Sequence, residues 1–411
     1  MHQTDNKMIK KFQNDVKLEY DDVSIVPAVS TPIHHRKECD CKVDGMYPVW
    51  TAPMSTVISL KNWKVFRNSG INCVIPRSEK IEDRVKFTLS HSDCAIGTPF
   101  VAYSLEEINN IFLCQDTKNK MSKCVYNYLS KSAVDSENES IDKKICINVC
   151  IDIANGHMED EIDAIKKLKE KWGSRVCVMG GNIANPLAYN LYDDAGADYV
   201  RVGIGGGCAC ITSSNTGVYY PLFSLVKECY ENKLSRGGHC KIIADGGIRS
   251  FRDIQKALLY ADAVMIGSLF NKAIESAGKT TYGRFYWNVR GLRILRPFKT
   301  LLKYGKTVKP SDYEKVVKLI KNGKLTVFKE FYGMSTKKAQ KMINENSGKV
   351  STKLKTSEGK VMSQPVEYSV EGWISNAMDF LRSAMSYTAS RNLEEYKDSD
   401  WVVLNSIKYN K

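Results

Sequence analysis

The chain has 411 residues, a formal net charge of +14, 43% apolar residues and 26% charged residues. This is an ordinary composition for a soluble globular protein, with length for one large domain or two to three smaller ones. No apolar run approaches the roughly 18 residues that span a bilayer, and the polar opening residues lack the apolar core of a signal peptide. Thirteen cysteines, an odd number at irregular spacing, do not make a disulfide framework, so the expected location is a reducing cytoplasm with no membrane contact.

The positive charge is concentrated. Residues 279–329 hold fourteen Lys and Arg against Asp312 and Glu314, and the rest of the chain is close to neutral. This segment also carries Phe285, Tyr286 and Trp287, so it is more than a linker. It reads as a solvated basic insertion, with a helix near 312–319. Contact with an acidic partner or nucleic acid through it is the less favoured alternative.

Along the chain, short apolar runs alternate with segments of helical period. The expected strands are 48–52, 72–75, 94–97, 145–151, 176–180, 199–202, 241–244 and 263–266. Expected helices include 159–172, 186–195, 221–234 and 251–259, with Pro186 and Pro221 in first turns where proline is tolerated. Eight such units predict a single-domain (β/α)8 barrel. Residues 116–144, rich in Ser, Asn and Lys, read as a polar loop with at most a pair of helical turns. After residue 329 the pattern changes. Residues 330–371 form a polar excursion with a helix near 336–344 and read as an active-site flap. A longer helix, 372–390, and a tail complete the chain.

A barrel carries its chemistry on loops after the strands' C-terminal ends, and the unusual residues fall there. Pro53-Met54-Ser55 follows the first strand, Asp152-Ile153-Ala154-Asn155-Gly156 the fourth and Gly181-Asn182 the fifth. The sixth is followed by Gly203, Gly205, Gly206 and Gly207, which deliver Cys210 and Thr212. Asp245-Gly246-Gly247 follows the seventh strand and Gly267-Ser268 the eighth, where backbone N–H groups can bind phosphate. Singly, such glycines are tight turns; together, they suggest a nucleotide site. A thiol among backbone N–H donors is favoured as thiolate and can attack an electron-poor ring carbon. Thr212 can relay a proton, and Glu358 on the flap can set its protonation. The loop's carbonyls can also bind a monovalent cation. Cys39-x-Cys41 and Cys208-x-Cys210 are too tight for a zinc site.

These motifs resemble the IMP dehydrogenase / GMP reductase family. The resemblance covers most of the chain outside 116–144 and the basic insertion. It rests on the Val202-to-Cys210 loop with Thr212, the Asp245-Gly246-Gly247 and Gly267-Ser268 turns, and Asn14-Asp15-Val16-Lys17-Leu18 with Asp22-Val23. Asp152-Ile153-Ala154-Asn155-Gly156, Thr216-Gly217-Val218, Phe331-Tyr332-Gly333-Met334-Ser335 and Ser357-Glu358-Gly359-Lys360 resemble the reductase branch. No Arg-Tyr dipeptide of the kind expected on a dehydrogenase flap occurs.

The resemblance implies reductive deamination of a guanine nucleotide by NADPH. Cys210 would attack purine C2, with Thr212 and Glu358 as proton donors. It implies that Asp245 binds the ribose and that Gly246, Gly247, Gly267 and Ser268 lie along the ribose-phosphate. Gly333, Met334, Ser335, Lys355 and Gly359 would hold the base. Arg77, Asp152, Ile153, Ala154 and Ser383 would line the NADPH site, and carbonyls of Gly205, Gly207 and Cys210 would hold K+. Family members are tetramers, so a homotetramer is expected. The chain departs from the family pattern at Ser55, where Asp is usual, at Cys208 for Ser, Ser213 for Arg and Lys355 for Arg, and at Pro76-Arg77-Ser78. The alternatives are NAD-dependent oxidation of IMP, a non-catalytic nucleotide-binding protein whose insertion contacts a partner, and a flavin-dependent barrel.

Overall fold

The computed structural model describes residues 16–92, 97–114, 119–131, 146–287, 293–297, 313–323, 325–346, 356–357 and 359–404. Its strands in chain order are β1 (Val23–Ile25), β2 (Val49–Thr51), β3 (Val74–Ile75), β4 (Phe100–Tyr103), β5 (Ile147–Ile151), β6 (Val176–Ile183) and β7 (Tyr199–Val202). They continue with β8 (Lys241–Asp245), β9 (Ala263–Ile266), β10 (Thr280–Trp287), β11 (Arg293–Pro297), β12 (Thr326–Tyr332), β13 (Val361–Pro365) and β14 (Trp401–Val403).

Strands β2 to β9 form one parallel sheet in the order β2-β9-β8-β7-β6-β5-β4-β3. The seam between β2 and β3 closes at Asn72, whose N–H donates to Val49 O and whose carbonyl accepts from the Thr51 N–H. This is the (β/α)8 barrel that the alternating pattern predicts. Its strands are buried apolar runs, as expected for a parallel sheet covered on both faces. Trp50, Phe100 and Tyr199 meet edge to face inside, with centroids 5.3–5.6 Å apart. Ala52, Val74, Ala102, Cys150, Met179, Ile243 and Met265 fill the space above them.

The surrounding helices have clear local causes. The Glu159–Trp172 helix matches its predicted span and starts with the exposed acids Glu159 and Asp160, where the helix dipole favours negative charge. The Leu222–Arg236 helix begins after Pro221 and ends at Gly237 in the left-handed conformation. Ser369 caps the Val370–Tyr387 helix, accepting the Gly372 N–H at 3.2 Å.

Three expectations need correction. The third barrel strand is Phe100–Tyr103, not 94–97: the fully buried run Phe-Val-Ala-Tyr takes the sheet position, and Gly97 turns into it with φ +78°. Residues 120–131 are a 12-residue helix instead of a loop, because Ser122, Val125 and Leu129 recur at helical spacing and are buried. The basic segment, read with one helix and no strands, also carries a hairpin: β10 and β11 pair in an antiparallel sheet of order β11-β10-β12-β13. Strand β12 runs from the end of that segment into the flap region and β13 lies within the flap region, so segment and flap share one sheet. The helices Tyr313–Lys321 and Lys337–Asn346 lie close to their expected positions. Among the described residues no helix is long and apolar enough to cross a membrane, and every described cysteine is a free thiol.

Candidate active site

A cavity of about 300 Å³ opens at the C-terminal ends of the barrel strands. The loop after β7 forms its floor. Gly203 holds φ +133°, and a Cβ there would stand 2.2 Å from Asp245 O, so only glycine lets β7 and β8 pack here. The Gly247 N–H donates to Gly206 O at 3.0 Å, which ties the loop after β8 to the loop after β7. The Cys210 N–H donates to Gly207 O at 2.9 Å, and Cys210 Sγ lies 3.3 Å from Thr212 Oγ1. Thiol and hydroxyl are thus within proton-transfer reach at the cavity wall.

The flap meets this loop through its backbone. Cys210 and Gly359 form an antiparallel bridge, and the Lys360 N–H donates to Ala209 O at 2.9 Å. Ser357 donates to Gly359 O at 3.0 Å. Gly333, Met334 and Ser335, after β12, complete the wall. Ser55 Oγ lies 3.4 Å from Tyr332 Oη and 4.0 Å from Met334 Sδ, so its hydroxyl faces the flap.

Charge is concentrated at one corner. Asp152 accepts from Arg77 Nε at 2.9 Å and Arg201 Nη1 at 3.2 Å. Burial alone would raise its carboxyl pKa, but the two guanidinium groups outweigh it and hold Asp152 below the usual range. Arg201 Nη2 also donates to Ile151 O and Gly181 O, both at 3.1 Å, while its Nε is buried without a partner among the described residues. Asp245 ends β8 and accepts from Asn182 Nδ2 at 2.7 Å. Its pKa is raised by burial, which outweighs Arg201 and the Asn182 bond.

The cavity gathers most of the expected site: Cys210 and Thr212, Asp245 with Gly246 and Gly247, Gly267 with Ser268, Gly333 to Ser335, and Arg77 with Asp152 to Ala154. Gly205 and Gly207 line it too. The Gly205 carbonyl accepts from Ser213 Oγ at 3.3 Å and the Gly207 carbonyl from Cys210 N–H, leaving each oxygen one further lone pair. Gly359 contacts Cys210 from the flap. Ser383 does not line the cavity; it lies on the Val370–Tyr387 helix. Lys355 and Glu358 lie outside the described residues. The sequence reading passed over Arg201 and the orienting role of Asn182. The signal for Arg201 was available: an arginine between Val200 and Val202 in a buried strand requires a buried partner.

Comparison with known proteins agrees with this geometry. A GMP reductase of Caenorhabditis elegans is 26% identical over 398 residues, covering 94% of this chain and 91% of that protein. A Vibrio cholerae (strain M66-2) GMP reductase is 27% identical over 395 residues, 94% of each chain. Human GMP reductase 1 is 26% identical over 400 residues, again 94% of each. Residues 17–323 match the family described as the IMP dehydrogenase / GMP reductase domain, and the chain belongs to that family.

Proposed function

We propose that this chain reduces a guanine nucleotide, with GMP as the first candidate, to the hypoxanthine nucleotide and ammonia at the expense of NADPH. The observation that carries the reading is the pairing of Cys210 with Thr212 at 3.3 Å beneath a flap whose Gly359 is bridged to Cys210. The relatives named GMP reductase over nearly the whole chain support it.

The Cys210 thiolate adds to C2 of the guanine ring, forming a C–S bond and making C2 tetrahedral. The exocyclic amine leaves as ammonia after taking a proton through Thr212, which Glu358, the residue before Gly359, re-supplies. NADPH, when bound, supplies the hydride that C2 then accepts. Collapse of that carbon breaks the C–S bond, releasing IMP and restoring the thiolate. Asp245 holds the ribose hydroxyls, and the N–H groups of Gly246, Gly247, Gly267 and Ser268 take the phosphate. Arg77, Asp152 and Arg201 form the polar corner beside Ile153 and Ala154 that would receive the nicotinamide carboxamide. The remaining lone pairs of Gly205 O and Gly207 O, with Cys210 O, suit K+. A homotetramer follows the same family reading.

The test is GMP-dependent loss of NADPH absorbance in potassium buffer, comparing wild type with Cys210→Ala and identifying the product. Turnover to IMP that falls by about a thousandfold or more in the variant is the expected result. Turnover of another guanine nucleotide but not GMP would assign the altered residues Cys208, Ser213 and Lys355 to substrate choice. No oxidation with any purine nucleotide would end the reading.

A further inference from the structure

Glu161, in the first turn of the Glu159–Trp172 helix, is fully buried against the C-terminal end of β6, which carries Gly181 and Asn182. Its Oε1 accepts the Gly181 N–H at 2.9 Å. Its Oε2 is 2.7 Å from Tyr192 Oη, which is also 2.7 Å from Gly156 O. Room for the pair exists because residue 180 is glycine: a Cβ there would stand 2.5 Å from Tyr192 and 3.0 Å from Glu161 Oε1.

The proton count decides the state of this cluster. Three oxygens, Gly156 O, Tyr192 Oη and Glu161 Oε2, make two short contacts in a row. A phenol carries one proton, so an ionised Glu161 leaves one contact as two facing lone pairs. A neutral Glu161 supplies the second proton: it donates to Tyr192, and Tyr192 donates to Gly156 O. We propose that Glu161 is a positioning residue kept as the neutral acid, clamping the loop after β5 to the C-terminal end of β6. The clamp is continuous with the site. The Gly156 N–H donates to Asn182 O at 3.0 Å, and Asn182 Nδ2 holds both Gly203 O at 2.9 Å and Asp245 Oδ2.

The surrounding charges agree. The groups facing Glu161 are Tyr192, Arg201 of β7, Cys150 of β5 and Asp152 just after it. Burial raises the Glu161 pKa to about 7, against the lowering effects of Tyr192, Gly181 N–H and Arg201. Loss of the proton above neutrality therefore breaks one link of the clamp and loosens Asn182, the orienting partner of Asp245. On the reading that Asp245 binds ribose, KM for the nucleotide rises there while kcat changes little.

The test compares wild type with Glu161→Gln and Tyr192→Phe. Glutamine reproduces the neutral acid, with its carbonyl facing Gly181 N–H and its NH2 donating to Tyr192. Two readouts are taken from about pH 5 to pH 9: the thermal midpoint without ligand, and KM and kcat for GMP. The expected result is that wild type loses stability relative to Glu161→Gln as pH rises to about 7. Its KM rises about fivefold as pH passes upward through about 7, the worth of one hydrogen bond, and Glu161→Gln shows neither change. Tyr192→Phe is expected to have the raised KM at every pH. A folded Glu161→Gln that matches wild type in both profiles, or that binds nucleotide poorly at every pH, would overturn the proposal. If no purine nucleotide is turned over, the proposed function fails by itself, and the ligand-free midpoints still decide the state of Glu161.

Discussion

The two ends of the barrel are built on opposite rules. The N-terminal end opens into the larger cavity, about 580 Å³, and the C-terminal end into the smaller, about 300 Å³. At the N-terminal end Lys169 pairs with Asp198, and Lys233 and Lys397 share Asp262. Beneath them Trp50, Phe100 and Tyr199 fill the interior. At the C-terminal end Arg201, Asp152, Asn182 and Asp245 are packed among glycine turns, and Arg201 Nε has no partner among the described residues. On the proposed function, volume therefore does not mark the working end. Polar groups held in the interior with bonding capacity left over do.

The largest effect expected at either end is the loss of turnover in Cys210→Ala, with folding unchanged. Arg201→Met comes next and tests whether the C-terminal charge cluster serves both stability and function. Removing one member of a buried ion pair costs about 3–5 kcal/mol because the other charge is left behind. Arg77 remains to Asp152, so the lower part of that range is expected in denaturant titration. Nucleotide-dependent NADPH oxidation should fall with it in the fraction that stays folded. Trp50→Ala is the matching change at the other end. Truncating a buried aromatic costs about 3–5 kcal/mol, and Trp50 is 5% exposed. Here kcat/KM per folded molecule should stay at the wild-type value. A Trp50→Ala protein that folds but turns over poorly would show that the two ends are coupled.

The same contrast explains what could be read from the sequence. Barrel strands were legible because each is a short apolar run bounded by turn residues. The third was misplaced because the run at Phe100 lies just past a glycine and a proline that look like its end. The helix at 120–131 was hidden because Lys120, Lys123 and Asn127 make it read as polar, and its buried side, Ser122, Val125 and Leu129, carries only two large apolar residues. The sheet of β10 to β13 pairs Thr281 with Phe328 and Phe331 with Met362, long-range partners that local pattern does not announce. At the site, glycine turns and the cysteine are local signals and were found. Arg77–Asp152, Arg201–Asp152 and Glu161–Tyr192 join residues 31 to 75 positions apart, and only the fold brings them together.

The smallest expected effect concerns pH, and it separates two buried acids of the same layer. Asp152 touches two guanidinium groups, whereas Glu161 faces a phenol and a backbone N–H. Asp152 is held below its unfolded value of 3.8. Its contribution to stability is therefore present above that pH and is lost as pH falls through the lower folded value. Glu161 has the opposite sign: its folded value of about 7 lies above the unfolded 4.5, so stability declines as pH rises between the two and is level beyond. Asp152→Asn should cost about 1–3 kcal/mol at neutral pH, the worth of hydrogen bonds to a charged group, and the deficit should shrink as wild type is titrated below about pH 4. Urea midpoints at neutral and acid pH check this. A deficit that persists unchanged in acid would mean that Asp152 acts by shape and not by charge, and the polar corner would then lose its claim to be an electrostatic site.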